Sequence, residues 1–261
     1  MNLRINPTRQ GTQWVKLGFK TFFRQPLALS GLFFMFLALM SVLNSIPYIG
    51  SVVALVLLPA ITLGLMVATQ ETQNGKFPMP IILFSAFRAG KEKLHAMLVL
   101  GGIYTVGFLL VIGVCTLIDD GQFADIYLLG GSLNAEVMDD PDFQSAMLVA
   151  TVLYLPLSMM FWHAPALVYW HGISPVKSLF FSFFSCLRNW KAFALYGVTW
   201  TGVFLALAVV IALLASLLGS ASLLAIMTLA ATLLLAAAFF TSIYFSFIDS
   251  FVMKAGDDRA A

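Results

Sequence analysis

Apolar residues in this chain come in long unbroken runs, and the charged residues are confined to the segments between them. A helix needs about 20 mostly apolar residues to cross a bilayer. Six runs qualify, over residues 27–46, 48–69, 94–117, 144–168, 193–217 and 222–248. The first pair is joined through Pro47-Tyr48-Ile49-Gly50 and the last through Gly219-Ser220-Ala221. Both junctions are short enough to demand a tight helical hairpin. The pattern therefore predicts an all-α membrane protein of six transmembrane helices arranged as three hairpins.

A basic, aromatic segment stands before each hairpin, over about 10–25, 79–92 and 174–191. Each holds an apolar residue followed by arginine: Phe23-Arg24, Phe87-Arg88 and Leu187-Arg188. Helices that lie in a membrane interface keep an aromatic face in the acyl boundary and lysine or arginine toward anionic headgroups. The three segments are read as interfacial amphipathic helices, each feeding one hairpin, so that the chain is three copies of one unit. The middle copy departs by carrying a long loop, 118–143, inside its hairpin.

Composition supports the bilayer. Hydrophobic residues make up 61% and charged residues 10% of the chain, and the mean hydropathy is +0.95. A soluble domain carries roughly 25% charged residues, so this chain lacks the polar surface a water-facing globule needs. The net charge of +2 matters less than its distribution. All 14 basic residues fall before the first span, between the second and third, between the fourth and fifth, or after the sixth, where Lys254 and Arg259 stand. By the positive-inside rule that face is cytoplasmic, together with both termini. Loop 118–143 holds Asp119, Asp120, Asp125, Glu136, Asp139, Asp140 and Asp142 with no basic residue, on the opposite face. The polar N-terminus and late first run give no cleavable leader, so the first span is expected to be retained.

The segments His163-Ala-Pro-Ala-Leu-Val-Tyr-Trp170 and Ser174 to Trp190, with the stretch from Trp14 to Pro26, resemble a bacterial family of membrane proteins, the BPSS1780-type family. More broadly the chain is similar to six-span proteins of three hairpins, including the YciC-like and DUF975-like families. The resemblance covers nearly the whole chain. It implies a bacterial inner-membrane protein and the six-span fold, and it implies no catalytic residues.

Candidate sites are few. Ionisable residues inside a span are the usual functional pointers; here Asp249 ends the last span and His163 sits near one end of the fourth. Arg24, Arg88 and Arg188 are expected at the depth of Asp249, where a cation would compensate a partly desolvated carboxylate; plain interfacial solvation and a transport role are the other readings of Asp249. Pro156 and Pro165 in the fourth span and Pro59 in the second each remove a backbone hydrogen bond. Broken helices of this kind can line a midplane solute site, with Asn44, Thr62, Tyr154, Ser158 and His163 as its candidate lining. Neighbouring groups satisfying a plain kink is the competing reading.

Other features point away from chemistry. His163 and His171 lie eight residues apart rather than four, which is poor geometry for one metal on a helix. The acidic loop does not match a calcium loop. Ala208, Ala212, Ser216 and Ser220 form a small-residue stripe that would pack within the last hairpin. Cys115 and Cys186 fall on opposite sides and cannot pair. No cofactor, metal or nucleic-acid motif is present. The expected partners are membrane lipids with anionic headgroups, together with a second membrane protein or another copy of the chain. The expected role is non-catalytic, in membrane or envelope organisation. A small-molecule carrier or channel using the fourth span is the first alternative, and a lipid-modifying membrane enzyme the second.

Overall fold

A computed structural model describes residues 2–47, 49–218 and 221–252. Tyr48, Gly219, Ser220, Lys254 and Arg259 lie outside the described residues. In chain order the elements are β1 (Asn2–Leu3), α1 (Gln10–Phe22), α2 (Pro26–Asn44), α3 (Gly50–Gln73), a 3-10 turn (Pro80–Phe84), α4 (Ser85–Arg88) and α5 (Lys91–Thr116). Then follow α6 (Gln122–Leu128), α7 (Ala135–Asp139), α8 (Pro141–Phe161), α9 (Ala164–His171), α10 (Pro175–Arg188), α11 (Trp190–Leu218), α12 (Ala221–Ser250) and β2 (Phe251–Val252). Apart from one two-residue strand pair the described fold is helical. Among the described residues, six helical stretches are long and apolar enough to cross a membrane, with α8 and α9 together forming the fourth.

The chain divides into two compact units. The first contains residues 2–37, 62–85 and 184–252. Its centre is α1, which is docked against α11 and α12. Gly11 and Gly18 stand two helical turns apart on the docked face. A Cβ on Gly11 would lie 2.2 Å from the Ala192 carbonyl oxygen, and one on Gly18 would lie 2.4 Å from Ser242 Cβ. The two glycines thus admit backbone-close helix crossings of the kind small residues allow in membranes. Between them Trp14 is wholly buried, its ring 5.1 Å from that of Phe193 and 6.0 Å from that of Tyr196. The α11–α12 pairing continues through Trp200 and Phe239, ring centroids 5.4 Å apart, and through the 2.6 Å contact of the Tyr196 and Ser242 hydroxyls.

The N-terminal strand is held in the same unit. Asn2 pairs with Val252 and Leu3 with Phe251, antiparallel, and the Arg4 amide donates to the Ser250 carbonyl at 3.0 Å. Asn189 clamps the following residues: its Oδ1 accepts from the Asn6 amide at 2.7 Å and its Nδ2 donates to the Arg4 carbonyl at 3.1 Å.

The second unit contains residues 38–61 and 86–183. Here α3 meets α5 at Gly101, where an added Cβ would fall 1.8 Å from the Val56 carbonyl oxygen. The acidic loop is folded, packing Phe123 and Phe143 with Val111, Ile112, Cys115, Ala146 and Ala150. Its carboxylates cap helices. Asp119 accepts from the Gly121 and Phe123 amides at 3.1 and 2.6 Å, and Asp140 accepts from the Asp142 amide and from Gln122 Nε2 at 2.9 and 2.6 Å. Those hydrogen bonds hold the Asp140 carboxyl below its usual range, that from Gln122 first.

Two expectations need correction. The middle interfacial segment is not a helix over 79–92: only a 3-10 turn and the single-turn α4 form there. Pro78 and Pro80 withhold amide donors, and Gly90, at φ +98°, turns the chain into α5. The fourth span is broken at Trp162–His163, the first of the two forms left open by its prolines. Of the small-residue stripe, Ala208 and Ala212 are exposed rather than packed in the last hairpin, because α11 and α12 make their ring and hydroxyl contacts in the turns around Tyr196, Trp200, Phe239 and Ser242. Lipid is as apolar as alanine, so nothing forces those stripes together.

Candidate functional site

The break in the fourth span is built from one missing hydrogen bond and one inserted hydroxyl. In an unbroken helix the His163 amide would donate to the Met159 carbonyl. Here the Ser182 hydroxyl of α10 stands between them. It accepts from the His163 amide at 2.9 Å and donates to the Met159 carbonyl at 2.8 Å. Pro165, near the start of α9, has no N–H to return to Phe161, so the ladder cannot close at the next turn. A side chain inserted into the ladder is one of the recognised causes of a helix break. His163 lies wholly buried at this point.

Serine 182 belongs to a face. Ser178, Ser182 and Ser185 of α10 are all fully buried, while Val176, Phe180, Phe181, Phe184 and Leu187 are exposed. At 100° per residue Val176, Phe180, Phe184 and Leu187 form one stripe, with exposed Lys177 and Arg188 on its shoulder. A water-facing helix has the reverse arrangement. Cys186, on the inner side, has its thiol pushed up to about 12 by burial.

If the inserted hydroxyl holds the break, Ser182→Ala will cost about 1–3 kcal/mol, the usual penalty for stranding buried polar groups. Ser182→Thr will retain stability, and Pro165→Ala in the Ser182→Ala background will recover part of the loss by letting the ladder close. Melting of the detergent-solubilised protein measures this. Equal melting of wild type and Ser182→Ala would refute it.

Asp249 meets neutral donors instead of an arginine. Its Oδ2 accepts from Trp14 Nε1 at 2.8 Å and from Gln10 Nε2 at 2.6 Å. Among the described residues the ion pair within 4.0 Å is Lys76–Glu71, at 3.7 Å, so the expected pairing of Asp249 is not formed. Arg24, Arg88 and Arg188 are all exposed, and Arg24 reaches the Gln73 carbonyl at 3.4 Å. An indole and an amide suffice because α1 is docked over the carboxylate, whereas the arginines are turned outward.

The candidate lining residues have separate local roles. Tyr154 shares a hydrogen bond with Tyr104, hydroxyls 3.1 Å apart. The Ser158 hydroxyl donates back to the Leu155 carbonyl at 2.7 Å within its own helix. Asn44 is exposed at the end of α2, and Thr62 is half-buried in α3. Gln10, Trp14 and Ser182 were missed as polar partners. The seven-residue spacing of Gly11 and Gly18 around Trp14 was the available signal for the first two, and the serine stripe of α10 for the third. Among the described residues no three His, Cys, Asp or Glu side chains are grouped to hold a metal ion.

No protein-family model matches the chain, so the BPSS1780-type name stays a resemblance, and no solved structure matches it. A curated protein does. The chain is similar to "Probable inner membrane protein BTH_II0599" of Burkholderia thailandensis, 39% identical over 215 residues, which cover 81% of this chain and 80% of the relative. Six membrane-length apolar helices and this identity over four-fifths of both proteins lead to one conclusion: the chain belongs to the family of that inner-membrane protein.

Proposed function

We propose that this is a non-catalytic multi-pass inner-membrane protein that organises the membrane by engaging anionic lipid, with its basic segments and both termini on the cytoplasmic side. The observation that carries the reading is the exposed phenylalanine stripe of α10 beside Lys177 and Arg188, over a buried serine face. In water such a stripe would be an association hazard. In an interface it puts aromatic rings into the acyl boundary and two cations at the phosphates. The distribution of all 14 lysines and arginines supports the orientation.

The experiment is cysteine labelling with a membrane-impermeant maleimide. Cys115 and Cys186 are buried, and the raised thiol of Cys186 is protonated at neutral pH, so the native cysteines stay silent. In inside-out vesicles Arg188→Cys is labelled and Phe180→Cys is not; in spheroplasts neither is. Equal labelling of both in inside-out vesicles would take lipid away from the stripe. Labelling of Arg188→Cys in spheroplasts would reverse the orientation.

The carrier reading has the broken fourth span in its favour. Weighing against it, the Met159 carbonyl and His163 amide are already taken up by Ser182 rather than offered to a solute.

A further inference from the structure

Within the second unit a cavity of about 400 Å³ opens between the first turns of α5 and the turn joining α9 to α10. We propose that it binds the head of a glycerophospholipid bearing both a phosphate and an ammonium group. This site rests on the lipid-engaging reading above and adds to the anionic lipid met by α10 a second, zwitterionic lipid class.

The lining is graded. Glu92, Lys93, His95 and Ser174 supply the polar part, and Val99 and Val168 are among the apolar part. Along α5, Val99 stands six residues beyond Lys93, about 9 Å further along the axis. A ligand that touches both is charged at one end and apolar at the other, as a lipid is and a free phosphate ester is not. The cavity volume falls within the range of about 300–1,000 Å³ common to small-molecule sites.

The charges select the head. Lys93 Nζ sits 5.1 Å from the centre of the Tyr169 ring, which holds the ammonium in place by a cation–π contact. The lining also meets the starts of two helices, α5 and the 14-residue α10, whose N-terminal amides favour an anion. Lys93 and the Ser174 hydroxyl therefore form the phosphate end. Glu92 is the acidic residue in the same lining. A carboxylate there repels a purely anionic head and accepts hydrogen bonds from a primary ammonium. A trimethylated ammonium has no N–H to give it.

The test uses the full-length protein, delipidated in detergent, with lipid retention read by native mass spectrometry. Phosphatidylethanolamine, phosphatidylcholine and phosphatidylglycerol with identical acyl chains are the probes, and soluble O-phosphoethanolamine is the competitor. Phosphatidylethanolamine should be retained preferentially. Lys93→Gln and Glu92→Gln should each weaken its retention about tenfold, the effect of losing one charge-assisted hydrogen bond. Lys191→Gln, which removes a cation outside the cavity, should leave it unchanged. All four proteins must melt alike without lipid, which separates binding from folding, since Glu92 is exposed and Lys93 half-buried. Equal retention of the three lipids, or losses no larger for Lys93→Gln than for Lys191→Gln, would overturn the site. Preference for phosphatidylglycerol would overturn the zwitterionic assignment. Competition by O-phosphoethanolamine as strong as by the lipid would make the ligand a free phosphate ester. None of these outcomes touches the labelling of position 180 or 188, so the α10 reading stands or falls separately.

Discussion

Replacing Trp14 with alanine lowers the stability of the protein by about 3–5 kcal/mol, the range for truncating a large buried aromatic. Trp14 is wholly buried, packs on Phe193 and Tyr196, and donates one of the two hydrogen bonds to Asp249. Its removal opens a hole where α1 meets α11 and leaves a carboxylate short of a donor. Trp14→Phe keeps one aromatic ring but loses the N–H together with part of the indole, so it should cost less than alanine but at least the roughly 1–3 kcal/mol of the stranded acceptor. In a protein of this size each kcal/mol moves the melting temperature by roughly 2–4 °C. Trp14→Ala should therefore melt roughly 6–20 °C below wild type and Trp14→Phe between the two. Wild-type melting of Trp14→Ala would mean that α1 does not depend on this contact.

Gly101→Ala is the second large effect, and its sign is the informative part. Glycine to alanine in a helix ordinarily gains about 1 kcal/mol from propensity. At position 101 the new methyl would stand 1.8 Å from the Val56 carbonyl oxygen and 2.7 Å from its carbon. These are backbone atoms, so α3 and α5 have to separate. Overpacking costs about 1–3 kcal/mol and more when the neighbour cannot yield. Gly102 has nothing within 4 Å of its would-be Cβ, so Gly102→Ala is the matched control and should be neutral or stabilising. The pair is compared by thermal unfolding in detergent. Equal behaviour of the two variants would dismiss the α3–α5 contact.

What could be read from the residues depended on which solvent each argument needed to know. The six spans were legible because length and hydropathy are enough when the surrounding medium is hydrocarbon. The segments before the hairpins were only half legible. Amphipathicity says that two faces differ; it does not say what covers each. In α1 the apolar face, with Gly11, Trp14 and Gly18, is covered by protein. In α10 the serines are covered by protein and the phenylalanines face outward. Both helices read alike as basic and aromatic.

The candidate site was legible in position more than in partnership. Pro156 and Pro165 mark the fourth span as irregular, and the break does fall beside Pro165. What bridges it comes from Ser182, which the serine stripe of α10 marks as inward-facing without naming the backbone groups it meets. Asp249 stands out as a charge near the end of a span, and local reasoning offers it a cation or solvent as partner. The structure supplies an indole and an amide from residues 235 and 239 positions away in sequence, a distance over which periodicity carries no information.

That separation has a consequence for how the molecule is made. Helix α1 leaves the ribosome well before its docking surface on α12 and the strand that pairs with Asn2–Leu3. Loop closure over such a span is slow compared with local helix formation. Until α11 and α12 have been made, the amphipathic segment has no native protein surface for its tryptophan face, and a bilayer surface is where such a face finds apolar cover. Docking of α1 therefore waits on the α11–α12 hairpin, so a segment translated early reaches its native place late.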